Sequence, residues 1–370
     1  MYIGRIHWYS AFMLIASVYS GRLPDGYEKE ERPRDTTPTS INVTMVFTSL
    51  NYFDVSKATL STTFLLHMSW SDKRMALANG TEDHRVFYAH EVWTPPLVIN
   101  NAVGMSASVL QGDSVPLKVL KDGTVIWIPR VAPSTACGFD IRYFPYDIQI
   151  CYVELGSWVH PTSDVTLQSV KSRDKEVSLD LYTRDRQWHM MEEYLSVRSH
   201  NVVAGLGFNY SSLTYTFVFQ RQRPFYTLLM LVPFCFLSFL LSGVFLIPFT
   251  RADKLLYSLA MLLSLSVFLF LLFSILPSVS SSDDFHLGNY MVSVVTHGLS
   301  VIVVSVILLS VHKYKEAKED KGKPSSCTSL PAIDLVMSAV SALVNVVLVA
   351  LYSTRLADAN SVVSHLPRVS

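Results

Sequence analysis

Two of the four cysteines, Cys137 and Cys151, close the stretch CGFDIRYFPYDIQIC, and the chemistry their spacing offers is oxidative pairing. The other two cannot compete for them: Cys235 falls inside an apolar run and Cys327 in a Lys-rich segment. The expected disulfide is therefore Cys137 to Cys151, and closing a loop of that length contributes about 3 kcal/mol by restricting the unfolded chain. Within the loop, Phe139, Ile141 and Tyr143 alternate with Asp140 and Arg142, and Ile148 and Ile150 alternate again after Asp147. Two short strands are predicted around Phe144-Pro145-Tyr146-Asp147, which makes a stapled hairpin. Pro145 follows an aromatic residue, a context compatible with a cis peptide bond.

No other grouping offers catalysis. His90-Glu91 lacks the second histidine of a zinc-binding helix, and His189 with Glu192 reads as a surface pair. Neither a Gly-rich phosphate loop nor a nucleophile beside a base is present, so no enzyme, cofactor or metal is expected. Thirty Lys and Arg balance thirty Asp and Glu. No global charge draws the chain to nucleic acid, and any steering of ions must be local.

The elements that must hold the stapled loop come in two kinds. With 50% hydrophobic and 16% charged residues over 370 positions, part of the chain is expected in lipid. Residues 1–20 read as a signal peptide: Arg5, a short apolar run, then small residues near Ser20-Gly21. Export would permit the disulfide and make the sequons at Asn42, Asn79 and Asn209 candidate glycosylation sites. A polar, Pro-containing lead-in follows, and from about Ser40 to Arg223 the pattern is mostly period two, as in MVFTSLNYF, TVIWIPRV and LTYTFVFQRQR. That predicts an antiparallel β-sandwich within an extracellular domain of residues 21–223. Beyond it lie four apolar segments near 225–247, 255–276, 290–310 and 332–352, each long enough to cross a bilayer. The expected division is three transmembrane helices in 224–311, a cytoplasmic loop in 312–331, a fourth span in 332–354 and an outside tail in 355–370. Lys313, Lys315, Lys318, Lys321 and Lys323 place that loop in the cytoplasm and both termini outside.

An exported sandwich, a short cysteine-closed loop around Phe-Pro-Tyr-Asp and four apolar helices together resemble the Cys-loop receptors, the pentameric ligand-gated ion channels. Trp93-Thr94-Pro95 with Asn101, and Gly156-Ser157-Trp158, resemble two ligand-site segments of that family. LLSLSVFLFLLFSILP, from Leu262 to Pro277, is similar to the pore helix of nicotinic acetylcholine receptors. The likeness covers about Ser40 to Tyr352, and the cytoplasmic loop is much shorter than is typical. What it implies is a multi-pass plasma-membrane subunit, in a homopentamer or a heteromer, bound by membrane lipids and crossed by permeant cations. The loop residues Phe144, Pro145, Tyr146 and Asp147 would touch the membrane domain and transmit movement to it.

The resemblance also implies a pore face of Asp253, Leu256, Ala260, Leu263, Val267, Phe270 or Leu271, and Ser274, which recur at three and four as one helix face must. Asp253 would form a carboxylate ring that favours cations, and the Pro-Ala pair usual in anion-selective relatives is absent. The alternative is that Asp253 pairs with Lys254 or caps the helix. Leu256 and Ala260 replace the hydroxyl residues usual in nicotinic pores, and Ser258, Ser264 and Ser266 are expected to bond back to helix carbonyls. An apolar tube of this kind can dewet and close, so a subunit that does not conduct alone is the competing expectation.

For the ligand, the resemblance implies an aromatic cage between subunits, built from Trp158, Tyr210, Phe208 and the Trp93 segment, with cation-π attraction of about 0.5 to 2 kcal/mol per ring. Asn100 replaces a tyrosine of the nicotinic cage, and Leu65 replaces a tryptophan of the neighbouring wall. Ile126 and Ile128 would make that wall apolar, and the adjacent cysteine pair of acetylcholine-binding subunits is missing. A small molecule greasier than acetylcholine is expected.

Overall fold

The computed structural model describes residues 23–54, 57–76, 83–104, 115–171, 173, 175–203, 207–222, 227–247, 253–275, 285–319 and 330–364. The expected signal peptide, Asn79 and Lys321 with Lys323 lie outside the described residues.

The period-two pattern folds as two facing sheets. The larger runs β10 (Val165–Ser169), β1 (Thr39–Asp54), β2 (Thr59–Ser71), β6 (Thr124–Trp127), β5 (Pro116–Leu120) and β3 (His84–Tyr88). Off this row β11 (Val177–Ser178) pairs with β1, and both β7 (Arg130–Val131) and β8 (Ser134–Ala136) pair with β2. The smaller sheet runs β12 (Trp188–Met190), β14 (Asn209–Arg221), β9 (Ile148–Ser157) and β4 (Leu97–Ile99), with β13 (Ser196–Val203) against β14. Alternation sends Ile41, Val43, Met45 and Phe47 of β1 inward, all fully buried, toward Leu213, Tyr215 and Phe217 of β14. Phe47 and Phe217 meet at 5.0 Å between ring centroids. The lead-in from residue 23 to 38 is irregular.

The expected hairpin is only half formed. Cys137 and Cys151 are disulfide-bonded, and Phe144-Pro145 is cis. β9 supplies the second arm, but residues 137–147 contain no strand. The reason is topological: β8 leads into the loop from the larger sheet, where it pairs with β2, whereas β9 belongs to the smaller one. The disulfide joins the two sheets. In place of a ladder, the Gln149 side chain accepts the Asp140 N–H at 3.0 Å and donates to the Asp140 carbonyl at 2.9 Å, as a neighbouring peptide would.

Four helices follow. A π-helical turn, Thr227–Leu231, leads into α1 (Val232–Ser242), extended by a 3-10 turn at Gly243–Leu246. Then come α2 (Asp253–Ile275), α3 (His286–Glu319) and α4 (Leu330–Ser364). All four contain spans long and apolar enough to cross a membrane. They share a second core of Phe234, Leu241, Leu265, Leu272 and Tyr290, and α4 is held to α1 by polar contacts: Asn345 donates to the Ser238 carbonyl at 3.0 Å and to the Ser242 hydroxyl at 2.8 Å.

Candidate functional site

At its upper end β9 delivers Trp158 to the surface, half exposed. Its indole N–H donates to the Asn100 side-chain carbonyl at 2.5 Å, and Asn100 is held by its own N–H on the Glu154 carbonyl at 2.7 Å. Gly156 permits this approach, because a Cβ there would stand 2.7 Å from the Asn100 amide. Tyr210 stacks on Trp158 at 5.9 Å between centroids and 25° between planes. Thr162 donates its N–H at 2.7 Å and its hydroxyl at 2.9 Å to the Asn209 carbonyl, tying the segment after Trp158 to the start of β14. Phe208, just before β14, is 54% exposed. Asn42 and Asn209 are exposed.

Trp93 departs from the expected cage. It is buried in the sandwich core, edge-on to Trp70 at 5.8 Å, and its N–H donates to the Tyr27 hydroxyl. The segment's contribution at the surface is Asn100 instead. Leu65, Ile126 and Ile128 lie on the larger sheet: the first two are half-buried on β2 and β6, and Ile128 is exposed just beyond β6. One chain thus carries two separate faces, an aromatic one on the smaller sheet and an apolar one on the larger.

At the lower end, the stapled loop enters the helices. Phe144 is buried, and with Pro145 it meets Met230, Phe234, Leu287 and Met291. The Tyr146 hydroxyl lies 3.3 Å from that of Thr227, the Tyr143 ring lies 5.3 Å from His286, and the His286 N–H donates to the Arg142 carbonyl. Burial raises the Asp140 carboxyl, but hydrogen bonds and charge from Arg142 outweigh it and hold the group below its ordinary value.

Asp147, expected to touch the helices, finds its charged and hydrogen-bond partners in the sandwich instead. It is buried, accepts from Arg221 Nε at 2.7 Å and Nη2 at 3.0 Å, and accepts from Gln149 at 2.6 Å. Arg221, the last residue of β14, also packs over Trp188 at 4.2 Å and Phe144 at 5.0 Å. This guanidinium was missed in the sequence; the signal was the Arg-Gln-Arg run directly ahead of the first apolar segment.

On α2, Asp253, Leu256, Ala260, Leu263, Val267, Phe270, Leu271 and Ser274 are all exposed on the single chain. Lys254 points the other way, fully buried, and donates to Asp334 of α4 at 2.9 Å while lying over the Phe245 ring. Lys254 is therefore partnered by Asp334 and not by the adjacent Asp253. Ser258, Ser264 and Ser266 bond back to the carbonyls of Leu255, Ala260 and Leu262, and Ser274 bonds back to Leu271.

Residues 17–223 match the family model described as the neurotransmitter-gated ion-channel ligand binding domain. The chain is 28% identical over 296 residues to neuronal acetylcholine receptor subunit alpha-6 of Rattus norvegicus, covering 77% of this chain and 58% of that protein. It is 28% identical over 300 residues to subunit alpha-3 of Carassius auratus (79% and 56%) and 29% identical over 299 residues to subunit beta-3 of Gallus gallus (79% and 63%). It thus spans somewhat more than half the length of these relatives.

Proposed function

The chain belongs to the neurotransmitter-gated ion-channel, or Cys-loop receptor, family and is related to nicotinic receptor subunits, and from that premise we propose that it forms a pentameric, cation-selective channel of the plasma membrane. A small molecule other than acetylcholine opens it, bound where the aromatic face around Trp158 meets the apolar face around Ile126 of the next subunit. The observation that carries this reading is the shared burial of Ile141 and Phe144 from the stapled loop with Leu241, Leu265 and Tyr290 from the helices. Movement of the sandwich is then passed to packed side chains and not lost in a slack linker. A ligand drives the shift by binding the open arrangement more tightly than the closed one.

Cation selectivity is supported by the division of charge at the base of α2. Lys254 is held by Asp334 of its own chain and is turned away from Asp253, so copies of Asp253 repeated around an axis would bring a ring of carboxylates to the ion path. The ligand reading is supported by Asn100, which spends its carbonyl on Trp158 where a further aromatic ring would add attraction for a quaternary ammonium.

A second reading is favoured by the apolar stripe from Leu256 to Leu271: a subunit that binds ligand but does not conduct as a homomer. Current recorded from the chain expressed alone, and from the Leu256→Ser, Ala260→Thr double variant, separates the two. Ligand-gated current that appears or grows with the hydroxyls supports the channel; silence of both forms across candidate amines, with receptor present at the surface, supports the accessory role. In the conducting form, Asp253→Gln is expected to weaken cation preference in reversal-potential measurements. A reversal potential that follows chloride in the parent would overturn the selectivity reading.

A further inference from the structure

Below the aromatic face, on the same outer side of the smaller sheet, β9, β13 and β14 form a half-open concavity of about 570 Å³. Volumes of about 300 to 1,000 Å³ are typical of small-molecule sites. Its floor is greasy: Ile150 and Tyr152 of β9 are 36% and 45% exposed, and Val218 of β14 lies beside them. Large apolar groups left open at the base of a concavity are what a bound organic molecule would cover.

Its polar rim has one sign. Arg198 of β13 stands on the wall and makes no ion pair among the described residues. His200, two positions along the same strand face, has a buried Nδ1 without a hydrogen-bond partner. Thr214 and Thr216 add hydroxyls, and among the described residues no carboxylate lines the cavity. Glu154 faces the same side, across Thr214 from Arg198 in the strand register, but lies outside the lining.

We propose that this concavity is a second ligand site, separate from the aromatic face, that takes an amphipathic organic carboxylate: the apolar body rests on Ile150, Tyr152 and Val218, and the carboxylate pairs with Arg198. A guanidinium suits a carboxylate because its planar donors match two oxygens at once. The site stands whether or not the channel conducts alone, since occupancy is read from binding and not from current.

The test uses the full chain in nanodiscs, with para-trifluoromethyl-phenylacetate and its neutral amide as probes, followed by fluorine NMR line broadening. The carboxylate is expected to bind the parent and the amide to bind far more weakly. Arg198→Gln, a substitution of an exposed side chain, is expected to weaken the carboxylate at least about tenfold. Thr216→Trp, which fills the cavity, should abolish binding, and Trp158→Ala should leave it unchanged. The proposal is overturned by equal binding of the amide, by an Arg198→Gln variant that binds like the parent, by retention in Thr216→Trp, by loss in Trp158→Ala, or by no binding to the parent.

Discussion

The sandwich and the helix bundle use similar apolar side chains and treat them differently. Along β1, Ile41, Val43, Met45 and Phe47 are each fully buried against the facing sheet, while on α2 Leu256, Leu263 and Phe270 stand 71%, 68% and 73% exposed in one stripe. A pair of sheets closes its core inside one chain, because every inward residue finds a partner across the layer. A helix in a four-helix bundle can bury only part of its circumference, so what covers the rest must come from lipid, water or another copy. Polar groups divide in the same way. In the sandwich most are absorbed by strand ladders; in the bundle they gather where helices must be held in place, as with Lys254 and Asp334 or Asn345 and Ser242.

The joint between the regions is where this contrast is easiest to break. Arg221→Gln leaves Asp147 buried without its cation, and such a loss costs about 3 to 5 kcal/mol. Thermal unfolding of the solubilised receptor should fall accordingly; a change under about 0.5 kcal/mol would mean the loop is held by other contacts. A matched pair of leucines sharpens the comparison itself. Leu213→Ala, in the sandwich core, is expected to cost about 2 to 5 kcal/mol, whereas Leu263→Ala on the exposed stripe should change unfolding by less than about 0.5 kcal/mol. Similar losses at both would show Leu263 packed against protein and not lining a lumen. Between the two leucines falls Asn345→Ala, which removes contacts from α4 to α1: interhelical hydrogen bonds in membranes average about 0.6 kcal/mol, with a maximum near 1.7. Denaturant titration in mild detergent reads that difference.

The aromatic face was partly legible in the sequence. Trp158 and Tyr210 were found through the resemblance, Trp158 by the Gly156-Ser157-Trp158 segment and Tyr210 by its place just before the final strand, and the structure stacks the two rings. Trp93 could not be assigned in the same way, since a tryptophan beside prolines carries no mark of which way its ring turns; only packing against Trp70 directs it inward. The stapled loop misled for a related reason. Alternation of Phe139, Ile141 and Tyr143 is what a strand requires, but no edge was available for those residues to pair with, and Gln149 supplied the missing hydrogen bonds.

What the sequence determined by itself was everything carried by local period and length: inward and outward positions along β1 and β14, four segments long enough for a bilayer, and a cysteine pair closing a short loop. Those features depend on residues a few positions apart, where backbone geometry dictates which side chains share a face. Only the tertiary structure decided the charge partners. Arg221 reaches Asp147 across 74 positions and Asp334 reaches Lys254 across 80. Nothing local distinguishes Lys254's adjacent carboxylate from its distant one. The choice follows from the helix itself, because consecutive residues point about 100° apart, so the face that turns Asp253 outward turns Lys254 toward α4.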